Sequence, residues 1–255
     1  MRVDVRDKVI VITGAARGLG RAMALGLATE GARIVVLARD EAKVKGTVDE
    51  IAALPDAPEA FGVVADVGDE AQVRAAAEAV DGRFGRVNGL INNAGWMPPS
   101  GTMKVLDFRI EDLNRIIDSN LIGCFLTTKH FAPIMISGGG GRIIYLSSMG
   151  GQWDATPPGG APYGATKAGV NILANVVHKE LANDGIRTIA IAPGLTDTPG
   201  ARLAATEEHI ARVSSRYPGG RLGQPEDLVG FAAFLCSDAA SHLSGTVLTV
   251  RPFTG

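Results

Sequence analysis

The sequence predicts an α/β protein, built as a doubly wound parallel seven-stranded sheet flanked by helices. Seven short apolar runs alternate with longer stretches of helical periodicity along the 255 residues, which is the order that βαβ units require. The apolar runs are continuous rather than alternating, as expected for strands covered by helices on both faces. The 33 glycines indicate many tight turns between strands and helices.

Each element is predicted from its local pattern. Strands are expected at seven apolar runs, which are Lys8–Thr13, Arg33–Ala38, Phe61–Asp66, Val87–Asn93, Gly141–Ser148, Arg187–Pro193 and Gly245–Val250. Helical periodicity fills intervals that include Leu19–Glu30, Glu70–Phe84, Ile110–Ile136, Pro162–Asn183 and Glu226–Cys236. No repeat or linker interrupts this order, so a single domain over residues 1–255 is expected. The least regular stretch, residues 196–223, is predicted to leave the core as a substrate lid.

Composition and charge exclude several classes of protein. The 25 basic and 27 acidic residues give a net charge of −2 with no basic block, so no nucleic-acid partner is predicted. Cys124 and Cys236 are too few for a disulfide framework, and the four histidines lack metal-ligand spacing, so no metal site is expected. Without a signal-peptide pattern or an apolar run near the roughly 20 residues of a membrane span, a soluble cytoplasmic protein is predicted.

A glycine-rich turn, "TGAARGLG", follows the first predicted strand and opens a helix. Gly14, Gly18 and Gly20 allow a tight turn, a close approach of the backbone to a pyrophosphate, and close packing of the helix on the sheet. The helix N-terminus then offers its unpaired N–H groups to the phosphates. Plain turn geometry would explain such glycines elsewhere, but their place in the first strand–turn–helix unit favours a Rossmann-type dinucleotide site.

A rigid loop precedes a second notable helix start, in "PPGGAPYGATKAGV". Tyr163 and Lys167 are four residues apart and therefore share one face of that helix. Taken alone, such a pair is most simply a solvated pair on a helix surface. However, a nearby ammonium group stabilises a phenolate, so the same pair also suits proton transfer.

These motifs, in this order, resemble the short-chain dehydrogenase/reductase family in its shorter form. The resemblance runs from Lys8 to about Val250. It includes the glycine-rich turn, "NNAG" at Asn92–Gly95, "SNLIG" around Asn120, "IIYLSSMGG" and the Tyr163/Lys167 pair. The fold that it implies is the doubly wound sheet already predicted, and the activity is that of an NAD(P)-dependent oxidoreductase.

The resemblance implies a catalytic set of four residues. Tyr163 would be the general acid/base, and Lys167 would stabilise its phenolate and bind the nicotinamide ribose. Ser148, rather than Ser147, would polarise the substrate oxygen, and Asn120 would help to hold a water that relays protons. From the residues alone, Ser148 is also a plausible turn former, and Asn120 suits a buried hydrogen bond to the backbone.

The resemblance also implies a set of cofactor contacts. These are Gly14, Arg17, Gly18, Leu19, Gly20, Arg39, Asp66, Val67, Asn93, Ala94, Gly95, Tyr163, Lys167, Pro193, Gly194, Leu195 and Thr198. Ala38 stands where NAD enzymes of this type usually have an acid, and Arg39 can bind a 2′-phosphate in bidentate fashion. Together with Arg17, this predicts NADP(H) over NAD(H). Both arginines suit ordinary solvated loops as well, and Asp40 could pair with Arg39 and weaken its effect.

The implied reaction is hydride transfer between NADP(H) and a secondary alcohol or ketone. A 3-oxoacyl thioester reductase and a non-catalytic dinucleotide-binding sensor or scaffold are the alternatives. Ser148, Trp96, Trp153 and Tyr163 are expected to contact the substrate, although simple loop packing explains the two tryptophans equally well. The loops at 96–102 and 150–160 and the lid are expected to determine specificity.

Two departures from the family pattern and one surface feature bear on assembly. Ile189 stands where the family often has Asn, and "TVLTVRPFTG" lacks the usual acidic residue and glycines after the last strand. The predicted helices Ile110–Ile136 and Pro162–Asn183 are apolar on more than one face, which predicts a homotetramer or homodimer. The altered C-terminus leaves the choice between them open.

Overall fold

The computed structural model describes residues 3–98, 103–153, 155–156 and 158–251. Within these ranges seven strands form one sheet in the order β3-β2-β1-β4-β5-β6-β7, with every neighbouring pair parallel. The strands are β1 (Val9–Thr13), β2 (Arg33–Ala38), β3 (Ala60–Val64), β4 (Gly89–Asn92), β5 (Gly141–Leu146), β6 (Ile186–Pro193) and β7 (Thr246–Val250). The predicted seven-stranded parallel sheet is therefore confirmed, with its topological switch point between β1 and β4.

Helices cover both faces of this sheet. In the described ranges they are α1 (Gly18–Thr29), α2 (Glu41–Ala52), α3 (Glu70–Phe84), α4 (Ile110–Ile117), α5 (Gly123–Ser137), α6 (Ala161–Leu181), α7 (Pro199–Ala204), α8 (Glu207–Ser214) and α9 (Val229–Cys236). The helical stretch predicted over Ile110–Ile136 is helical throughout, with a π-helical turn at Asp118–Ile122 between α4 and α5. No helix in the described part of the chain is long and apolar enough to cross a membrane.

Local sequence signals determine where several helices begin and end. The Asp69 carboxylate accepts the N–H groups of Ala71 and Gln72 at the start of α3, which satisfies donors that the first helical turn leaves free. Gly85 ends the same helix with a φ of 64°, in the left-handed region that favours glycine. The structure therefore reproduces the predicted bounds of α3.

The core consists of two apolar layers, one on each side of the sheet. All five residues of β1 are buried, and successive side chains point to opposite faces. Ile10 and Ile12 join the layer that contains α1 and α9, whereas Val9 and Val11 join the layer that contains α3, α5 and α6. The continuous apolar runs in the sequence correspond to this burial on both faces.

Residues 196–223 leave the sheet after β6 and contain α7 and α8. A parallel bridge between Thr196 and Gly223 closes the base of this excursion. The N–H of Asp197 donates to the Gly223 carbonyl at 2.8 Å, and the N–H of Gly223 donates to the Leu195 carbonyl at 3.2 Å. The segment therefore departs and returns at one place, beside the carboxyl end of β6.

Candidate active site

The sequence-predicted site residues gather beyond the carboxyl ends of the central strands. Gly14 directly follows β1, Asn93 follows β4, and Gly194 follows β6. Ser148 lies two residues after β5. Because parallel strands end at one edge of a sheet, these four positions converge beside the switch point.

The glycine-rich turn between β1 and α1 is packed too tightly for side chains at Gly14 and Gly20. Gly14 has a φ of +66°, and a Cβ placed there would lie 3.0 Å from the Cα of Ala94. A Cβ on Gly20 would overlap the carbonyl oxygen of Gly14. No side-chain hydrogen bond caps α1 at Arg17, so this helix N-terminus suits the pyrophosphate of a dinucleotide.

Asn93 and Thr13 hold this turn in place. The Thr13 hydroxyl accepts the N–H groups of Asn93 at 3.0 Å and Ala94 at 2.9 Å. The Asn93 side-chain amide donates to the carbonyls of Thr13 at 2.8 Å and Gly14 at 3.3 Å. Sequence reasoning assigned no role to Thr13, although its position at the head of the glycine-rich motif was the available signal.

Asn120 is fully buried in the π-helical turn and braces the backbone after β4. Its Oδ1 accepts the N–H of Trp96 at 2.7 Å, and its Nδ2 donates to the Trp96 carbonyl at 3.0 Å. The buried hydrogen bond to backbone that the sequence allowed is therefore present. A Cβ on Gly95 would lie 3.3 Å from the Asn120 Oδ1 and 3.8 Å from the Lys167 Nζ, so the Gly95 backbone lies between these two side chains.

Tyr163 and Lys167 lie in the first two turns of α6, where Pro162 is compatible with the helix start. Lys167 is only 4% exposed, which contradicts the simple picture of a solvated surface pair. Its Nζ donates to the Leu146 carbonyl at 2.6 Å and lies 5.7 Å from the centroid of the Tyr163 ring. A buried lysine requires a hydrogen-bond partner, which the Leu146 carbonyl supplies here.

Ser148 faces the same space from the end of β5. Its Oγ accepts the N–H of Gly150 at 3.1 Å, within a short 3₁₀ turn at Met149–Gly151. A Cβ on Gly150 would lie 3.5 Å from the Ser148 Oγ and 3.8 Å from the Cδ1 of Tyr163. In contrast, the buried Ser147 hydroxyl donates to the Lys167 carbonyl at 3.2 Å. Gly150 therefore lies close to both the Ser148 hydroxyl and the Tyr163 ring, whereas the Ser147 hydroxyl is bonded to the backbone of α6.

Sequence reasoning missed the role of the two glycines that follow Ser148. A Cβ on Gly151 would lie 2.6 Å from the carbonyl carbon of Lys167, so only glycine lets this turn pack against α6. The Thr156 hydroxyl then donates to the Gly150 carbonyl at 2.5 Å. The signal in the sequence was the glycine pair itself, which directly follows "SSM".

A cleft of about 360 Å³ opens between the ends of β2 and β3 and the start of α4. Arg39 lies at its edge, and its Nη1 pairs with the Oδ2 of Asp66 at 3.3 Å. Asp40 instead caps α2 and pairs with Lys43 at 2.7 Å. Hydrogen bonds from Lys43 keep the pKa of the Asp40 carboxyl below its ordinary value. Asp40 therefore pairs with Lys43 and not with Arg39, and Asp66 is the partner of Arg39.

The structure also shows where three other residues of the predicted cofactor set lie, which are Val67, Leu19 and Arg17. Val67 is buried, and a Cβ on Gly123 would lie 2.7 Å from its Cγ2. Leu19 packs against the core layer of α1. Arg17 is exposed at the mouth of the glycine-rich turn.

The residues after β6 form a further wall of this region. The N–H of Leu195, two residues beyond Pro193, donates to the Tyr217 hydroxyl at 3.3 Å. A Cβ on Gly194 would lie 2.6 Å from the same hydroxyl. Thr198 caps α7 and stands 3.6 Å from the position of a Cβ on Gly18. The base of the 196–223 excursion therefore lies directly over the glycine-rich turn.

The two tryptophans differ in their surroundings. Trp96 is half-buried, and the Arg115 guanidinium lies 4.2 Å from the centroid of its ring. Trp153 is fully exposed, so a role as a packed pocket wall does not apply to it in this structure. Residues 99–102, 154 and 157 of the two predicted specificity loops lie outside the described residues. Residues 252–255 of the atypical C-terminus lie outside them as well.

Known proteins are similar to this chain over most of its length. A family model described as enoyl-(acyl carrier protein) reductase matches residues 14–251. The 3-oxoacyl-[acyl-carrier-protein] reductase FabG of Thermotoga maritima is 35% identical over 250 residues, which cover 98% of each chain.

Solved structures match over nearly the whole chain. One is a gluconate 5-dehydrogenase from Burkholderia cenocepacia J2315 in complex with NADP and tartrate. It has a TM-score of 0.90 at 33% identity, and the match covers 98% of this chain and 96% of that chain. A 7α-hydroxysteroid dehydrogenase complexed with NADH and 7-oxo glycochenodeoxycholic acid has a TM-score of 0.91 at 33% identity, with 99% and 96% covered. These two proteins hold different nicotinamide cofactors.

Proposed function

Because the chain belongs to the short-chain dehydrogenase/reductase family of oxidoreductases, we propose that it transfers a hydride between NADP(H) and a secondary alcohol or ketone. Tyr163 acts as the general acid/base. The observation that carries this proposal is the convergence of Ser148 and Tyr163 at Gly150, with the buried Lys167 ammonium 5.7 Å from the phenol ring. As a member of this family the chain is an enzyme, so the non-catalytic sensor or scaffold is set aside.

The glycine-rich turn and the residues around it fit a nicotinamide dinucleotide. Gly14 and Gly20 let this turn fold tightly, since a Cβ at either position would meet atoms of Gly14, Asn93 or Ala94, and the first turn of α1 presents N–H groups to a pyrophosphate. Thr198 and the Gly194 backbone border the same space from the β6 side. When bound, the nicotinamide ring supplies the hydride donor or acceptor.

The side chains of α6 and β5 then account for the proton transfer. In the reducing direction the Tyr163 hydroxyl gives its proton to the carbonyl oxygen of the substrate, and in the oxidising direction the phenolate takes it back. The Ser148 Oγ accepts a bond from the Gly150 N–H, so its own proton remains available to polarise the substrate oxygen. The hydroxyl thereby stabilises the charge that develops on that oxygen.

Lys167 has enough donors for three tasks. Its ammonium carries three protons, one of which goes to the Leu146 carbonyl. The remaining two are available for the phenolate of Tyr163 and for the ribose of the cofactor. Asn120 holds the backbone at Trp96 beside this ammonium, and in our proposal its π-helical turn also holds the water that relays protons to Lys167.

The proposed preference for NADP(H) rests on Arg39 and Arg17. Ala38 at the end of β2 provides no carboxylate to accept a ribose 2′-hydroxyl, whereas the Arg39 guanidinium at the cleft edge can bind a 2′-phosphate. The expected result is a higher kcat/KM for NADPH than for NADH. Arg39→Ala should lower this ratio by about tenfold, the value of roughly one charge-assisted hydrogen bond.

The substrate is expected at Ser148 and Tyr163, beneath the 196–223 excursion. Trp96 is held rigidly enough to form one wall. Reduction of a 3-oxoacyl thioester is the second candidate, since the similar Thermotoga maritima protein bears that name. A panel of ketones, alcohols, sugars, steroids and acyl thioesters, with both cofactors, separates these possibilities through the loss or gain of the reduced cofactor's absorbance.

Tyr163→Phe tests the proposed chemistry most directly. Phenylalanine keeps the ring against Gly150 and removes only the hydroxyl, so kcat should fall at least about 100-fold, as expected for loss of a general acid/base. Cofactor binding, measured by calorimetry, should remain nearly unchanged. Lys167→Ala should lower kcat and also weaken cofactor binding. Near-normal kcat in Tyr163→Phe would show that the proton comes from another group.

We also propose that the protein assembles as a homodimer or homotetramer through α5 and α6. Phe125 and Ile172 are exposed apolar side chains on these two helices. The π-helical turn that leads into α5 packs against α6, because a Cβ on Gly169 of α6 would lie 3.1 Å from the Leu121 side chain in that turn. Burial of this apolar surface against a second copy would remove it from water.

A further inference from the structure

The Arg39 guanidinium is paired with the Asp66 carboxylate, at 3.3 Å, at the edge of the 360 Å³ cleft, and both residues belong to the predicted cofactor contacts. We propose that Asp66 competes with a 2′-phosphate for Arg39 and thereby limits how strongly the site prefers NADP(H) over NAD(H). This inference rests on the proposed cofactor site. In the proposed site Arg39 and Arg17 favour NADP(H), and Asp66 is a residue that opposes this preference.

Asp66 is the fixed member of the pair. Its Oδ1 accepts the Gly68 N–H at 3.0 Å, and its own backbone N–H donates to the Gln72 side-chain oxygen at 3.0 Å. These bonds hold the carboxylate in the turn between β3 and α3. The Oδ2 that faces Arg39 therefore stays where it is, whatever enters the cleft.

Arg39 is the movable member. Its side chain is 53% exposed, against 38% for Asp66, and the pair is made through one nitrogen. A single contact of this kind on an exposed side chain is weak. A 2′-phosphate can therefore draw the guanidinium away, but only after the pair has been broken and with the Asp66 charge left nearby.

Among the described residues that line the cleft, no further free cationic side chain lies beside the Arg39–Asp66 pair. The lining contains four carboxylates and two guanidinium groups, a balance of −2; the carboxylates belong to Asp66, Asp69, Glu111 and Asp118 and the guanidinium groups to Arg39 and Arg115. Asp69 is occupied as the cap of α3, and Arg115 is stacked on Trp96. A phosphate dianion thus enters an acidic cleft in which Arg39 is already paired, and like charge opposes it.

The experiment compares two ligand fragments that differ only in the 2′-phosphate, which are adenosine 2′,5′-bisphosphate and 5′-AMP. Isothermal titration gives the ratio of their dissociation constants for the wild type and for Asp66→Asn. Asparagine keeps an oxygen for the Gly68 N–H and replaces the charged oxygen that faces Arg39 with an uncharged amide nitrogen. The ratio should shift about 3- to 10-fold further in favour of the bisphosphate, as expected when a weak pair and a like-charge repulsion are removed.

Asp118→Asn is the matched control. It removes the same charge from the same cleft, where no ion pair joins Asp118 to Arg39 in the described structure, and it should shift the ratio by less than Asp66→Asn does. An unchanged or reduced ratio in Asp66→Asn would overturn the proposal. An equal shift in Asp118→Asn would also overturn it, because the effect would then be general to the cleft.

A double-mutant cycle identifies Arg39 as the group through which Asp66 acts. In the Arg39→Ala background the effect of Asp66→Asn should become smaller, because only the like-charge repulsion of the phosphate remains. If it persisted in full, the carboxylate would act on the phosphate without Arg39, and the competition would be refuted. A different outcome would refute the proposed NADP(H) preference itself. In that case the wild type would bind the bisphosphate no more tightly than 5′-AMP, and Arg39→Ala would change neither affinity.

Discussion

Replacing Asn120 by alanine removes both hydrogen bonds that hold the backbone of Trp96. The amide is fully buried, and its two bonds measure 2.7 and 3.0 Å. Alanine cannot replace either bond, so one N–H and one C=O at the exit of β4 lose their partners. The structure therefore predicts that Asn120 contributes substantially to the stability of the fold, in addition to any part in proton transfer.

The magnitude follows from the two groups left unpaired. Each unsatisfied buried backbone group costs about 1–3 kcal/mol, and Trp96 is half-buried, so we expect a total loss of about 2–4 kcal/mol. For a chain of this length, 1 kcal/mol corresponds to about 2–4 °C in Tm. The expected fall in Tm for Asn120→Ala is therefore about 4–16 °C.

Thermal and urea unfolding followed by circular dichroism measure this loss. In a Trp153→Phe background the fluorescence comes from Trp96 alone, and its emission should shift to longer wavelength when the indole loosens. Asn175→Ala is the matched control, since the Asn175 amide makes one partly buried bond to the Gly245 carbonyl at 2.8 Å. The reasoning is refuted if Asn120→Ala costs no more stability than this control and leaves the Trp96 emission unchanged.

Two further predictions concern the thiols and the assembly. Burial raises the pKa of Cys124 to about 11 and that of Cys236 to about 12. Because the folded state favours the protonated thiols, their contribution to stability is complete below the ordinary thiol pKa near 9 and is lost as the pH rises towards 11–12. Unfolding at increasing alkaline pH should show this decline. Phe125→Asp should lower the mass measured by light scattering, because a carboxylate cannot be buried cheaply in the proposed interface.

Each of these two predictions has a control. A thiol reagent at pH 8 should label neither cysteine in the folded protein and both in guanidinium chloride, and rapid labelling of the folded protein would contradict their burial. Val64→Asp changes an exposed apolar residue at the end of β3 and should leave the mass unaltered. A monomeric mass for the wild type at micromolar concentration would refute the assembly through α5 and α6.

The sequence alone determined the elements whose signals are local. The predicted bounds of β2 and α3 agree with the structure, because a continuous apolar run and a helix with Asp69 before it and Gly85 after it contain their own start and stop signals. The topology followed from the same alternation, since βαβ units can form a doubly wound sheet in few ways.

Only the tertiary structure decided the features that depend on residues distant in sequence. The helical stretch expected over Ile110–Ile136 contains a π-helical turn, in which the buried Asn120 bonds to Trp96, 24 residues away in the sequence. Arg39 takes Asp66, 27 residues away, rather than its neighbour Asp40. Sequence periodicity reports on neighbours within a turn or a strand, whereas hydrogen bonds and charges act between whatever groups the completed fold brings within reach.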